Sequence, residues 1–368
     1  MRLVRLTPEI AGQRLARSVV DAAGKVLLTA GAELTSRYIE RLAARGVTDI
    51  YLVDDLSEEI VPDEAIQTET RAEAQRLVAE LLAGAERGDR SGPLLAALSG
   101  VVSEITDSLW RQQGLAVELG ELRRGSAYTF THSIQVGIGA VLLGHARGLK
   151  RGQLLDLGLG ALLQDIGTVR YADLIRQPRP LTPEEFALLQ QHAEEGYHYL
   201  KDKAGVSLLA AHVAYQHHER LDGSGYPRGL YGDDIHTFAR IAAVVDVYDA
   251  LVADRPFKAG MPRQEAMGIL MGMAGDKLDS ALVRCFSEQI AVFAVGSPVL
   301  LSSGEVAVVV AQGPAGPGRP IVRILTDPGQ RLIPPQDVDL GAEASGRTVR
   351  QVLADYPSGV RNQLAGGR

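Results

Sequence analysis

The stretch HHERLDGSGYPRGL, His217 to Leu230, joins two adjacent imidazoles to a loop of glycine and proline. Helices approach a long loop here, and neighbouring ligands at a helix end can point to different metals. Beyond the histidines the glycines allow a tight loop, Pro227 stiffens it, and Tyr226 offers a ring for stacking and a hydroxyl for a phosphate. Loops rich in Gly and Pro at 176 to 182 and 219 to 235 interrupt an otherwise helical pattern, and long loops inside a compact domain are usually functional. The stretch therefore predicts a helical domain whose chemistry sits at helix ends.

Working outward, periodicity makes residues 125 to 292 almost entirely helical. His132 lies in YTFTHSIQVGIGAVLLGH, on a helix whose other positions are apolar, and His192 lies in LLQQHAEEGYHYL. Two acids read as buried: Asp165 in LLQDIGT, just before a helix-ending glycine, and Asp246 in IAAVVDVYDAL. Imidazole and carboxylate together suit borderline metals such as Fe, Mn or Zn. Taken singly, each position also has a structural explanation. A lone histidine on an apolar helix is more often a hydrogen-bonded core residue, and Asp246 could pair with an arginine. His145, His198, His212 and His236 fit no pattern and read as structural.

Taken together, the order His132, Asp165, His192, His217-His218, Gly225-Tyr226-Pro227, Asp246 and then DRPFKA resembles the HD-GYP family of cyclic-di-GMP phosphodiesterases. The resemblance runs through residues 125 to 290, and LTPEEF and ARIAAVVDVYDALVADRPFKA also match in place. It implies an all-helical HD-type domain with metal ligands at His132, Asp165, His192, His217, His218 and Asp246, Asp165 bridging and catalytic. Tyr128 stands where three-metal members carry a glutamate, so at most two metals are expected. The implied reaction is hydrolysis of the cyclic dinucleotide phosphodiester by metal-activated water, for which two ions about 3.5–4 Å apart are suited. Implied substrate contacts are Gly225, Tyr226, Pro227, Arg255 and Lys258, the last two supplying local positive charge. The same loop is linked in the family to GGDEF-domain partners; a purely structural turn is the alternative.

The resemblance also marks departures. Gln164 stands where the family has the histidine of its His-Asp pair, and Thr168 where it has a lysine; Ala172 and QPR at 177 to 179 also differ. Gln164 offers only a neutral amide oxygen, and a lost ligand should cost at least the ~10- to 100-fold of a lost outer partner. Thr168 lacks an ammonium worth on the order of 3 kcal/mol to the transition state. Two readings stay open: a phosphodiesterase with one or two divalent transition metals (Fe, Mn or similar), or a catalytically weak or inactive module binding cyclic-di-GMP or a partner. Another phosphohydrolase class is disfavoured because the GYP segment is retained whole.

The remaining sequence frames that domain. At 46% hydrophobic the chain can bury a sizeable core, and 368 residues suggest one large domain with attachments. The expected bodies are an α/β module at 1–65, a helical linker or dimerising hairpin at 66–120, the helical domain at 121–292, a small β domain at 293–345 and a tail at 346–368. In the tail, RTVRQVLADY reads as a short helix. A net charge of −7 argues against nucleic acid polymers and anionic membranes as partners. No signal peptide and no run of ~20 apolar residues is present, so the expected location is the cytoplasm. The single cysteine, Cys285, reads as a buried core thiol in a reducing compartment.

Overall fold

The computed structural model describes residues 1–20, 26–54, 56–57, 59–60, 65–89, 92–111, 128–177, 179–204, 206–253, 260–342 and 346–366. The N-terminal module comprises β1 (Arg2–Arg5), β2 (Val19–Val20), β3 (Val26–Leu28), α1 (Ser36–Ala43) and β4 (Asp49–Leu52). β1 pairs with β4 and β2 with β3, both antiparallel. The Thr35 hydroxyl caps α1 by accepting from the Tyr38 N–H, and Gly46, at φ 76°, follows its last turn.

The helical domain runs through α2 (Thr68–Arg87), α3 (Gly92–Arg111), α4 (Tyr128–Ala146), α5 (Arg151–Leu162), α6 (Ala172–Ile175), α7 (Pro183–Leu189), α8 (His192–Tyr199), α9 (Leu208–Gln216), α10 (Thr237–Val252), α11 (Arg263–Gly272) and α12 (Ser280–Gln289). Residues 66–111, expected as a linker, are instead part of its core: Leu77 and Leu81 of α2 and Leu98 and Val102 of α3 share one buried cluster with Leu143 of α4 and Val244 of α10. The reason is visible in α2, where Ala74, Leu77, Val78, Leu81 and Leu82 form a stripe at helical spacing that needs cover. At Gly158 of α5 an added Cβ would meet Val102 at 2.6 Å, so α3 and α5 approach too closely for a larger residue.

The C-terminal body is a five-stranded antiparallel sheet of order β8-β7-β6-β5-β9, with β5 (Pro298–Leu301), β6 (Val306–Ala311), β7 (Ile321–Thr326), β8 (Leu332–Asp339) and β9 (Val349–Val352), followed by α13 (Ser358–Gly366). RTVRQVLADY is therefore not a helix. Its Val349 and Val352 pair with Leu301 and Val299, because the free edge of β5 offers ladder hydrogen bonds that outweigh local preference. Nor is 346–368 a detached tail, since Tyr356 and Val360 are buried in the core of this sheet.

The two ends of the chain meet. Leu3 N–H donates to Gly296 O at 2.9 Å and Arg5 N–H to Ala354 O at 3.1 Å. Beneath them the buried Arg2 lies 3.1 Å from Asp355 and 3.6 Å from Asp54, and the Tyr356 hydroxyl donates to Asp54 at 3.0 Å. Among the described residues no helix is long and apolar enough to cross a membrane. Cys285 is half-buried at the edge of the helical core rather than fully inside it, and burial raises its thiol.

Candidate metal centre

Five segments converge on Asp165. His132 comes from α4; Gln164 and Asp165 occupy the turn after α5; His192 opens α8; His217 and His218 follow α9; and Asp246 and Asp249 lie on α10, three residues apart and so on one face. Gly167 is what brings the turn to α8: a Cβ there would stand 2.1 Å from His192 O, so only glycine lets the two backbones touch.

On one flank of Asp165, His192 Nδ1 lies 2.6 Å from Leu189 O, and His217 Nδ1 lies 3.0 Å from Ala214 O and 3.2 Å from Val213 O. A carbonyl can only accept, so in each ring Nδ1 carries the hydrogen and Nε2 presents a lone pair. Those two Nε2 atoms face Asp165 Oδ1 at 3.5 and 3.6 Å, are buried, and have no hydrogen-bond partner. Acceptors turned on an acceptor repel unless a cation stands among them. Ligand atoms of Asp165, His192, His217 and His218 all lie within 4.8 Å of one another, so these residues fit a single transition-metal ion.

The other flank is closed by hydrogen bonds. His132 Nδ1 is 2.8 Å from Asp249 Oδ2, and its Nε2 is 3.0 Å from Asp246 Oδ1 and 3.6 Å from Asp165 Oδ2. Gln164, fully buried, donates its amide Nε2–H to the same Asp246 Oδ1 at 3.1 Å, leaving its own oxygen without a partner. His218 Nδ1 stands 4.0 Å from Asp246 Oδ2. Burial works to raise the carboxyls of Asp165 and Asp246, but positive charge beside them, carried by the imidazoles when protonated (His217 foremost for Asp165, His132 for Asp246), outweighs it and holds both well below the usual range; a cation, were one bound, would supply that charge with the imidazoles neutral. Burial lowers His192 and, further, His218. Ionised acids and neutral imidazoles are the protonation states that cation binding requires.

The glycine-rich loop forms the rim. Tyr226 stacks on His218 with ring centroids 4.6 Å apart at 29°, and Phe186 meets it edge-on at 6.1 Å. Gly225 passes so close to the chain that a Cβ would lie 2.4 Å from Glu219 Cα; the Tyr226–Pro227 peptide is cis. Burial and the nearby Asp246 raise the Tyr226 hydroxyl, which stays protonated. Thr168 is buried and spends its hydroxyl on Asp165 O at 2.6 Å. Arg255 and Lys258 lie outside the described residues, and Tyr128 opens α4.

Sequence reading passed over two residues. Asp249, orienting His132, was signalled by the D-x-x-D spacing on α10. Glu219, buried directly after the paired histidines, accepts from Arg228 N–H at 2.9 Å and Leu230 N–H at 3.0 Å and so staples both sides of the loop.

Comparison with known proteins agrees with this architecture. Residues 133–282 match the HD domain family and residues 298–352 the KOW domain associated with HD domains. A cyclic di-GMP phosphodiesterase of Pseudomonas aeruginosa is 36% identical over 259 residues, 70% of this chain and 62% of that protein. One from Thermotoga maritima is 34% identical over 160 residues, 43% of this chain and 44% of that protein. The chain thus spans less than two thirds of either relative's length. Among solved structures, an HDG"Y"P protein from Bdellovibrio bacteriovorus aligns over 77% of this chain and 97% of its own at a TM-score of 0.50 and 18% identity, a likeness of fold. Residues 133–282 are thus similar to HD domains, and part of the chain is homologous to proteins named cyclic di-GMP phosphodiesterases.

Proposed function

We propose that this protein is an HD-GYP-type phosphodiesterase that hydrolyses cyclic-di-GMP with one divalent transition metal, Fe or Mn, held by Asp165, His192, His217 and His218. The single observation carrying the reading is the pair of unpartnered imidazole nitrogens turned on the Asp165 carboxylate. A metal bound there supplies a Lewis acid for a phosphoryl oxygen. Tyr226, backed by His218 and Phe186, presents an aromatic face at the rim where a guanine can stack, with its hydroxyl protonated to donate to phosphate. Glu219 holds that loop in place before substrate arrives. Arg255 and Lys258 are the proposed phosphate contacts.

In this reading Gln164 replaces the histidine of the family's His-Asp pair and limits the site to one ion. A histidine would direct a lone pair inward, whereas the amide directs a proton at Asp246 and occupies the carboxylate that a second ion would need. Thr168 adds no cation. That contact also favours the rival reading, a module that binds cyclic-di-GMP without turnover. A GGDEF-domain partner at the GYP loop, a homodimer and a cytoplasmic location complete the proposal.

Metal analysis of protein purified without chelator, followed by incubation with cyclic-di-GMP and excess Mn, tests it. The expected outcome is about one equivalent of metal by the donor count above, with linear dinucleotide or GMP formed and the reaction stopped by chelator. Binding without product would establish the rival instead.

A further inference from the structure

A cleft of about 710 Å³ opens where the N-terminal module, the helical domain and the C-terminal sheet meet, lined by none of the residues around Asp165. Each body sends one arginine to it: Arg5 from β1, Arg263 from the start of α11, and Arg350 from β9. Among the described residues, Arg5 and Arg350 make no side-chain hydrogen bond or ion pair. With Asp49 and Glu265 also present, the lining holds three cations against two carboxylates, a local excess of positive charge in a chain of net charge −7.

The rest of the wall is mixed in a way that suits one ligand class. Val252, Met261, Val292 and Val352 give it apolar area, while Gln264 and Gln351 offer amides that both donate and accept. Pro262 caps α11 without a side-chain hydrogen bond, and the first turn of that helix, Arg263 to Glu265, lines the cleft. Guanidinium forks recognise phosphate oxygens, amides read the edge of a base, and apolar walls cover its faces. The volume lies in the range of roughly 300–1,000 Å³ usual for small-molecule sites.

We propose that this cleft is a second ligand site, separate from the metal centre, that binds a nucleoside phosphate. No one body completes it, so the ligand bridges all three and is an effector rather than a substrate.

The test is isothermal titration of GMP, AMP and inorganic phosphate into the full chain in EDTA, using wild type, Arg5→Ala/Arg350→Ala and Tyr226→Ala. Both arginines are exposed, so the double variant should melt as wild type does without ligand. The expected result is one nucleotide per chain, weakened at least tenfold in the double variant and unchanged in Tyr226→Ala, with phosphate alone binding more weakly. Arg350→Glu should weaken it further, and nucleotide should raise the melting temperature of wild type but not of the double variant. Absence of saturable nucleotide binding, equal binding by the double variant, or loss confined to Tyr226→Ala would each overturn the proposal.

Discussion

His192 and His217 on one flank of Asp165, and His132 on the other, are all buried imidazoles beside carboxylates. They differ in what holds the far ring nitrogen. Backbone carbonyls hold Nδ1 of His192 and His217 and leave Nε2 as a lone pair with nothing to bind. His132 has a carboxylate at each nitrogen, and Asp246, which could have been a ligand, is already engaged by Gln164. Identical side chains thus make a candidate cation site on one flank and a hydrogen-bonded polar network on the other, and the difference lies in their hydrogen-bond partners.

The harshest way to break that comparison is His217→Ala. It removes a donor with no substitute, and metal analysis should find none bound while turnover of cyclic-di-GMP falls to background. Restoring the second flank sharpens it from the other direction. Gln164→His with Thr168→Lys should raise metal content from one equivalent toward two and turnover by about a hundredfold; a change in neither would show that these two positions do not limit the site. The smallest effect is expected from Asp249→Asn, which weakens the network around His132 without touching the open flank. Urea unfolding should show a loss of about 1–3 kcal/mol, the range for a buried hydrogen-bonded group losing its partner, with metal content unchanged. Loss of metal in that variant would mean that the two flanks are one site.

Much of this was legible in the residues. His132, Asp165, His192, His217, His218 and Asp246 stand together in space, although no two of them except the adjacent histidines are close in the chain. They could be named because their order and the GYP segment resemble a known pattern. Asp249 carried a signal in its D-x-x-D spacing with Asp246, but its role lies in a hydrogen bond to His132, and that of Glu219 in bonds to loop N–H groups that no spacing rule specifies. From sequence Gln164 is a poor ligand through its oxygen; in the structure it acts through its nitrogen, since only the NH₂ can face an ionised carboxylate. The helices at 66–111 and the strand at 349–352 were misjudged for a related reason. An apolar stripe or a strand edge states that it needs a partner without naming it.

The Arg2–Asp54–Tyr356–Asp355 cluster joins the opening strand of the chain to its closing segment. The helical domain is therefore an insert held between halves of a single clasp. Exchanging one outer module for an unrelated sequence would cost the other a partner, Asp355 for Arg2 or Asp54 for the Tyr356 hydroxyl. Inheritance should accordingly keep the two outer modules as a pair, even where the central domain is traded away.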